Sequence, residues 1–388
     1  MRELTVEHEV FLFTVQPEED FNKDSEPIFP KNVRIISLSN AKTYRSFLNI
    51  FPNRLADFLN YRILKKTLFT NTNGYFLKAY PLLLQKLQEI NPSVVIYENL
   101  ESVSLFSSLV RKYLPGAKQI YDALNVDSEL WNQLAIAQNN QVLSSYARTA
   151  LKTEKTLHKK VDAIFCCSNA DEKKLQSLNN KRLKSFVVPN GVDTAEKEFD
   201  QNTEKNMRDE ILFCGSLEYY PNEEGLRWFY KEVFPLIKME MPDIKLTLVG
   251  TEIKNDKWKM LIDDPSVNFE GRVENVKQFY YRASVCIAPL LSGSGTRLKI
   301  LEAMSFGNPV ISTMIGAEGI NAMTEKHLFI RDKPEEFAAA IIKLLGSKSL
   351  FNSIRTDACT LVKAEYDWKK IGFRVKEFFD KELYDKIA

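Results

Sequence analysis

Short apolar runs alternate along this chain with longer amphipathic stretches. Runs of about four to eight apolar residues closed by Gly, Pro, Asn or Asp predict buried strands, and apolar spacing near 3.6 predicts helices. In the first half the predicted strands are His8–Val15, Val33–Leu38, Val94–Tyr97, Gln119–Leu124, Ala163–Cys167 and Ser185–Asp193, the last containing a turn from Pro189 to Gly191. Residues 41–90 form a basic-aromatic helical region with Phe47, Phe51, Phe58, Leu64, Phe69 and Leu82 to Leu84, broken by Asn91-Pro92. A helix through Leu105 to Tyr113 stops at Pro115-Gly116, a long helical stretch covers about 129–160, and Ser168 caps a further helix. In the second half the strands are Ile211–Gly215, Ile244–Gly250, Val267–Gly271, Val285–Leu291, Pro309–Thr313 and Lys326–Ile330. Helices run between them: one through Leu226, Trp228, Phe229, Val233 and Leu236 that Asn222 opens as its N-cap, and one through Phe279 and Tyr281. Helices from Phe337 to Leu345 and from about Trp368 close the chain.

Strand-helix alternation in both halves predicts an α/β protein of two doubly wound, Rossmann-like parallel sheets facing each other. A length of 388 residues also suits two domains. The turn Pro189 to Gly191 and the polar stretch 194–208 separate them, with Asn190-Gly191 setting the hinge. The expected division is a first domain over 1–193, a linker over 194–208 and a second domain over 209–370. A last helix over 371–388 packs back on the first domain. Ligands in such folds bind beyond the C-terminal strand ends, which places the site in the cleft.

One stretch carries most of the chemistry. The strand ending at Leu291 runs into Ser292, Gly293, Ser294, Gly295 and Thr296, and a helix follows with Leu298, Leu301 and Met304 on one face. A small-residue loop at a helix N-terminus offers main-chain N–H groups and the positive end of the dipole to an anion. Arg297 and Lys299 stand in the first turn, where the dipole favours acidic residues instead. An anionic ligand accounts for them, and a diphosphate fits; the other reading is a solvated helix face. Glu302, one turn on, can reach the sugar side of a nucleotide or else pair with Lys299 at the surface.

Composition changes this picture little. The chain is 44% hydrophobic and 27% charged with net charge +2, so no global field draws it to nucleic acid. Residues 1–30 hold two basic residues against eight acidic ones, and residues 41–90 hold eight basic against two acidic. Four of the five cysteines lie in apolar strand-like runs, and none has zinc-ligand spacing, which suits reduced thiols in a cytosolic protein. No apolar run approaches the roughly 20 residues of a membrane span, and the acidic N-terminus is no signal peptide. His8, His158 and His327 are dispersed and are given no chemistry.

Four segments resemble the family-4 retaining glycosyltransferases in order and spacing. They are Phe213 to Asn222, Gly271-Arg272-Val273, Pro289 to Met304, and Gly316 to Ile320, and Val188 to Asp193 resembles that family's interdomain segment. The resemblance implies the GT-B fold and a nucleotide-diphosphate sugar as substrate, with no cofactor and no metal. It implies that Arg297 and Lys299 hold the diphosphate and that Glu302 binds the ribose hydroxyls. Gly293, Ser294, Gly295 and Thr296 form the donor loop, Gly215 and Ser216 border the phosphates, and Gly271, Arg272 and Val273 flank the base. Asp122 is the third catalytic candidate beside Arg297 and Lys299; a strand-end cap is its other reading.

The chain departs from the family at three places. Ser294 stands where many relatives have a glutamate that contacts the donor sugar. Leu124 stands where relatives often have a histidine near the reacting sugar, while Asp122 and Asn125 remain. Met1 to His8 resembles the end of the family's first helix, so the strand and glycine-rich loop before it are expected to be missing. The expected activity is retaining sugar transfer to a polysaccharide or lipid-linked acceptor, in the cytoplasm or at the inner membrane face. The rival reading is an inactive relative that binds a nucleotide sugar or a partner enzyme. Region 41–90 is either an ordinary helix pair over the first sheet or a surface for anionic membrane.

Overall fold

The computed structural model describes residues 8–14, 33–37, 73–195, 209–250, 258–293 and 297–381. The first half contains β1 (Val10–Thr14), β2 (Val33–Ser37), α1 (Asn73–Ile90), β3 (Val94–Tyr97), α2 (Leu100–Tyr113), β4 (Lys118–Ala123), α3 (Asp127–Ala137), α4 (Gln141–Glu154), β5 (Ala163–Cys166), α5 (Asn169–Leu178) and β6 (Lys184–Val187). Strands β3 to β6 form a parallel sheet in sequence order, with Tyr97 opposite Tyr121 and Asp122 opposite Phe165. Strands β1 and β2 pair with each other, Val10 opposite Val33, as a separate two-stranded sheet. Phe13 and Ile36 of that pair pack on the same core as Leu100, Val103, Tyr121 and Ile164. Residues 1–7, where the unusual start of the chain was read, and 38–72, most of the basic-aromatic region, lie outside the described residues.

The second half contains β7 (Glu210–Cys214), α6 (Tyr220–Trp228), a π-helical turn (Phe229–Val233), α7 (Phe234–Glu240), β8 (Lys245–Val249), α8 (Lys259–Ile262), β9 (Val267–Gly271), α9 (Lys277–Arg282), β10 (Val285–Ala288), α10 (Leu298–Ser305), β11 (Val310–Ser312), β12 (Phe329–Ile330), α11 (Pro334–Leu345), α12 (Lys348–Glu365) and α13 (Trp368–Phe379). Its six-stranded parallel sheet has the order β12-β11-β10-β7-β8-β9. The chain moves outward from β7 to β9, then returns to β7's other side at β10. That reversal opens a crevice beyond the C-terminal ends of β7 and β10.

Apolar burial explains both layers. Ile211, Phe213, Leu246, Leu248, Val285 and Ile287 line one face of the second sheet under Phe229, Phe337 and Ile341. Leu212, Cys286 and Ala288 line the other face, under Ile300, Leu301, Met304 and Val362. Alternate residues of one strand thus feed both helical layers, as strands buried on two faces must.

Several boundaries differ from the sequence reading. Helix α2 starts at Leu100, because the Asn99 side chain accepts from Ser102 N–H at 2.8 Å. The stretch 129–160 divides into α3 and α4. Asn139 takes φ +48°, and the Asn140 side chain accepts from Val142 N–H at 2.9 Å to start α4. The expected strand at Lys326–Ile330 is only Phe329–Ile330. Helix α12 was not foreseen, although Phe351, Ile354, Ala358, Leu361 and Val362 give it a buried stripe.

The halves join at a tight seam. Val192 forms a parallel bridge with Asp367, and Val192 N–H donates to Tyr366 O at 2.8 Å. A Cβ on Gly191 would lie 2.7 Å from Ile371 and 2.8 Å from Tyr366 O. Helix α13 then lies on the first sheet, where Ile371, Val375, Phe378 and Phe379 bury Ile120, Ala163 and Phe165. Phe165 meets Phe378 edge-on at 5.4 Å, and Phe186 stacks on Phe378 at 4.9 Å.

Candidate active site

The crevice between β7 and β10 gathers the second domain's chemistry. Strand β7 ends at Cys214, and the chain passes through Gly215 and Ser216 to α6. A Cβ on Gly215 would stand 2.9 Å from Lys299 Nζ and 3.0 Å from Asn222 Nδ2, so only glycine leaves room for both. Gly250, at the end of β8, backs it: a Cβ there would lie 2.0 Å from Gly215 O.

Asn222 links the two sides. Lys299 Nζ donates to Asn222 Oδ1 at 2.6 Å, and Asn222 Nδ2 donates to Ser216 O at 2.7 Å. Asn222 is therefore not the N-cap of α6. That helix begins at Tyr220 with Tyr219 at the cap, and Asn222 is buried within its first turn. Pro221 is the sequence signal for this: proline favours the first helical turn, so the cap precedes it.

Lys299 also lies over the Phe213 ring, 4.5 Å from its centroid. Desolvation pushes its pKa down to about 7, and the nearby Arg297 charge acts in the same direction. Arg297 is 8% exposed, and burial lowers its pKa too, with Tyr219 and Glu318 as the main opposing influences. Its guanidinium packs on Gly293, where a Cβ would meet Arg297 Nη2 at 2.9 Å and where φ is +107°. Helix α10 has no acidic residue in its first turn. Its inward face is Ile300, Leu301, Ala303 and Met304, while Leu298, expected on that face, is 46% exposed. As the first helical residue, Leu298 has no preceding turn to pack against.

Glu302 does not pair with Lys299; its Oε2 accepts from Tyr280 OH at 3.2 Å. Tyr280 is buried and stacked on Phe306 at 4.9 Å, which orients the phenol. Gly271, with φ +66°, accepts from Gly250 N–H at 2.8 Å and so stands one strand from Gly215. Arg272 is exposed, and Val273 packs against the α10 layer. Ser292 Oγ donates to Glu224 Oε2 at 2.7 Å. Ser294, Gly295 and Thr296 lie outside the described residues.

Gly215, Ser216, Gly293, Arg297 and Lys299 thus converge around Asn222, with Glu302 one turn away. Asp122 stands apart, on β4 of the first domain. Desolvation raises its pKa to about 6, and Glu98 adds to the rise. Leu124 follows it, 49% exposed. Gly250 and Gln133 escaped the sequence reading, while Phe213 and Asn222 entered it only as the ends of a motif, with Asn222 taken for an N-cap. Gln133 Oε1 accepts from Gly293 N–H at 3.2 Å, which brings α3 onto the loop. His158 bonds Asn179 and His327 bonds Met323 N–H, both structural contacts. Among the described residues no group of three or more His, Cys, Asp and Glu is placed to hold a metal ion, and no single helix is long and apolar enough to cross a membrane.

Residues 208–347 match the family profile described as Glycosyl transferases group 1. An uncharacterized 44.6 kDa protein in the cps region of Klebsiella pneumoniae is 32% identical over 170 residues. The match covers 42% of this chain and 43% of that relative, so the chain spans less than half the length of the relative. Among solved structures, sucrose-phosphate synthase from Thermosynechococcus elongatus superimposes with TM-score 0.66 at 17% identity, covering 97% of this chain and 89% of that one. HepE of Anabaena, solved with UDP and glucose, gives 0.59 at 13% identity, covering 81% of this chain and 84% of that one. The chain has the GT-B fold, and the half that carries the Arg297–Lys299–Asn222 cluster is the half that matches the glycosyl transferases group 1 profile.

Proposed function

We propose that this chain transfers a sugar, with retention, from a nucleotide-diphosphate sugar to a polysaccharide or lipid-linked acceptor. The observation that carries the reading is the pair of buried Arg297 and half-buried Lys299 at the switch point, with glycines on either side. Breaking the anomeric C–O bond leaves negative charge on the departing diphosphate. Arg297, Lys299 once protonated, and the Gly293 N–H would stabilise that charge, and one such donor is worth roughly 3–4 kcal/mol in comparable sites. Glu302, one turn along α10, fits the ribose hydroxyls, and Tyr280 holds its carboxylate in place. The UDP in the HepE structure and the cps region of the Klebsiella relative support a nucleotide-sugar donor and a polysaccharide setting. Acceptor residues fall to the first domain, where Asp122, with its pKa near 6, is the candidate proton carrier.

Thermal shift with UDP, GDP, ADP and their sugars tests the reading. At least one nucleotide should raise the melting temperature, and Arg297→Ala with Lys299→Ala should abolish the rise. No shift with any of them removes the donor site. A second reading is a nucleotide-sugar-binding relative without turnover. The half-exposed Leu124, which supplies no proton-transfer group beyond β4, favours it. Binding without sugar release or transfer in the full-length protein would select that reading.

A further inference from the structure

The first domain sends a side chain into the donor loop of the second. Gln133 lies on α3, and its Oε1 accepts from Gly293 N–H at 3.2 Å across 160 positions of sequence. Gly293 is buried, takes φ +107° and packs on the Arg297 guanidinium, so the main-chain donor that Gln133 engages lies beside one of the two cations. The amide oxygen of Gln133 thus occupies a main-chain donor of the anion cradle.

Helix α3 is fixed for this contact. The Glu154 carboxylate accepts from Ser128 N–H at 3.2 Å and caps the helix, which has no capping side chain of its own. Trp131 packs edge-on against Tyr146 of α4 at 5.8 Å. Glu129, one turn before Gln133 on the same face, accepts from Lys174 at 2.6 Å, and Lys174 also reaches Glu318 of the second domain at 3.5 Å. Helix α3 therefore meets the second domain directly at Gln133 and, through Lys174 of α5, indirectly at Glu318.

We propose that Gln133 competes with the donor for the Gly293 N–H: its amide oxygen accepts this hydrogen bond and must yield it to a diphosphate oxygen for the donor to use it. The proposal rests on the reading of this loop as a diphosphate site. A diphosphate oxygen carries full charge and outcompetes a neutral amide, because charge-assisted hydrogen bonds are roughly twice as strong. The exchange frees α3 from the loop, so donor occupancy and the contact between domains are linked.

Two variants move in opposite directions. Gln133→Ala removes the competitor, and UDP affinity, or that of whichever of UDP, GDP and ADP binds the parent protein, should rise about threefold to tenfold. Gln133→Glu presents a charged acceptor to the same N–H and repels the diphosphate, and affinity should fall about tenfold or more. A merely structural Gln133 would lower affinity in both variants or change neither, and either result overturns the proposal. Amide hydrogen exchange at Gly293 gives a readout that needs no nucleotide: exchange should quicken in Gln133→Ala, and unchanged protection also overturns it. If no nucleotide binds the parent protein, the diphosphate reading fails, while the exchange result still shows whether Gln133 guards this N–H.

Discussion

Lys299 and Asn222 meet at 2.6 Å in front of β7, an ammonium held by a neutral amide. The amide orients the lysine without supplying a counter-charge, which suits a site that keeps its cation for an incoming anion. Its pKa of about 7 follows from desolvation, which the Cys214 thiol opposes and the Arg297 charge reinforces. A bound diphosphate would raise that pKa, so binding above pH 7 must take up a proton. Calorimetry at pH 8 in two buffers of different ionisation enthalpy should give uptake approaching one proton. Affinity should fall by up to about tenfold per pH unit above pH 7. Lys299→Met should flatten both dependences.

Asn222→Asp tests the neutral partner. A carboxylate at this distance would raise the Lys299 pKa by about 1–3 units and consume the charge meant for the ligand. Nucleotide affinity at pH 7 should drop, and the pH at which it begins to decline should move upward. Equal affinity in Asn222→Asp and the parent protein would mean that Lys299 does not contact the diphosphate.

A second pair of groups sets stability. Asp127 starts α3 above Glu154, which is fully buried, with the Tyr121 phenol among their neighbours. Desolvation and then Glu154 raise the Asp127 pKa to about 7. The folded protein therefore holds a proton that the unfolded chain releases above pH 3.8, so stability declines as pH rises from 3.8 to about 7. Lys299 acts in the opposite sense: the folded state lacks a proton between about 7 and 10.5, and stability rises through that window. Asp127→Asn should shrink the lower limb, to which the raised Asp122, Glu154 and Asp171 carboxyls also contribute, and stabilise the protein at pH 8 by about 1–3 kcal/mol, with little change at pH 4. Denaturant melts at several pH values check both limbs.

Strand positions were legible because the strands are short apolar runs buried on both faces, as in Ile211 to Phe213 and Val285 to Ile287. Arg297 and Lys299 drew notice as candidates because cations at a helix N-terminus contradict the dipole, although Arg297 is the N-cap residue of α10 and only Lys299 stands in its first turn. Asn222 was misread because its type suits a cap, and only Pro221 beside it tells otherwise. Gln133 left no signal at all: a glutamine on a helix acquires meaning only when the fold brings it to Gly293. Glu302 was placed correctly on α10, but its partner Tyr280 is 22 positions away, beyond any local pattern. The break at Asn139 failed for a different reason, since Asn with φ +48° ends a helix without Gly or Pro to announce it.

Gly250 gives the sharpest test of how the strands support the site. A Cβ there would lie 2.0 Å from Gly215 O and 2.8 Å from the Gly215 carbonyl carbon. Both are backbone atoms, so no rotamer change relieves the overlap. Gly215 N–H is held by Val249 O at 2.8 Å, and Gly250 N–H by Gly271 O at 2.8 Å, so the three strand ends are tied together. Gly250→Ala must push the Gly215 turn toward the crevice, where Lys299 Nζ and Asn222 Nδ2 already crowd it. The expected cost in stability is about 1–3 kcal/mol, with a loss of nucleotide affinity larger than that destabilisation explains at temperatures where the variant is folded. Gly346→Ala is the control: its Cβ would meet Ile342 O at 3.2 Å and Lys343 O at 3.9 Å, both of α11, so affinity should be retained. Full nucleotide affinity in Gly250→Ala would show that the Gly215 turn does not border the bound phosphates.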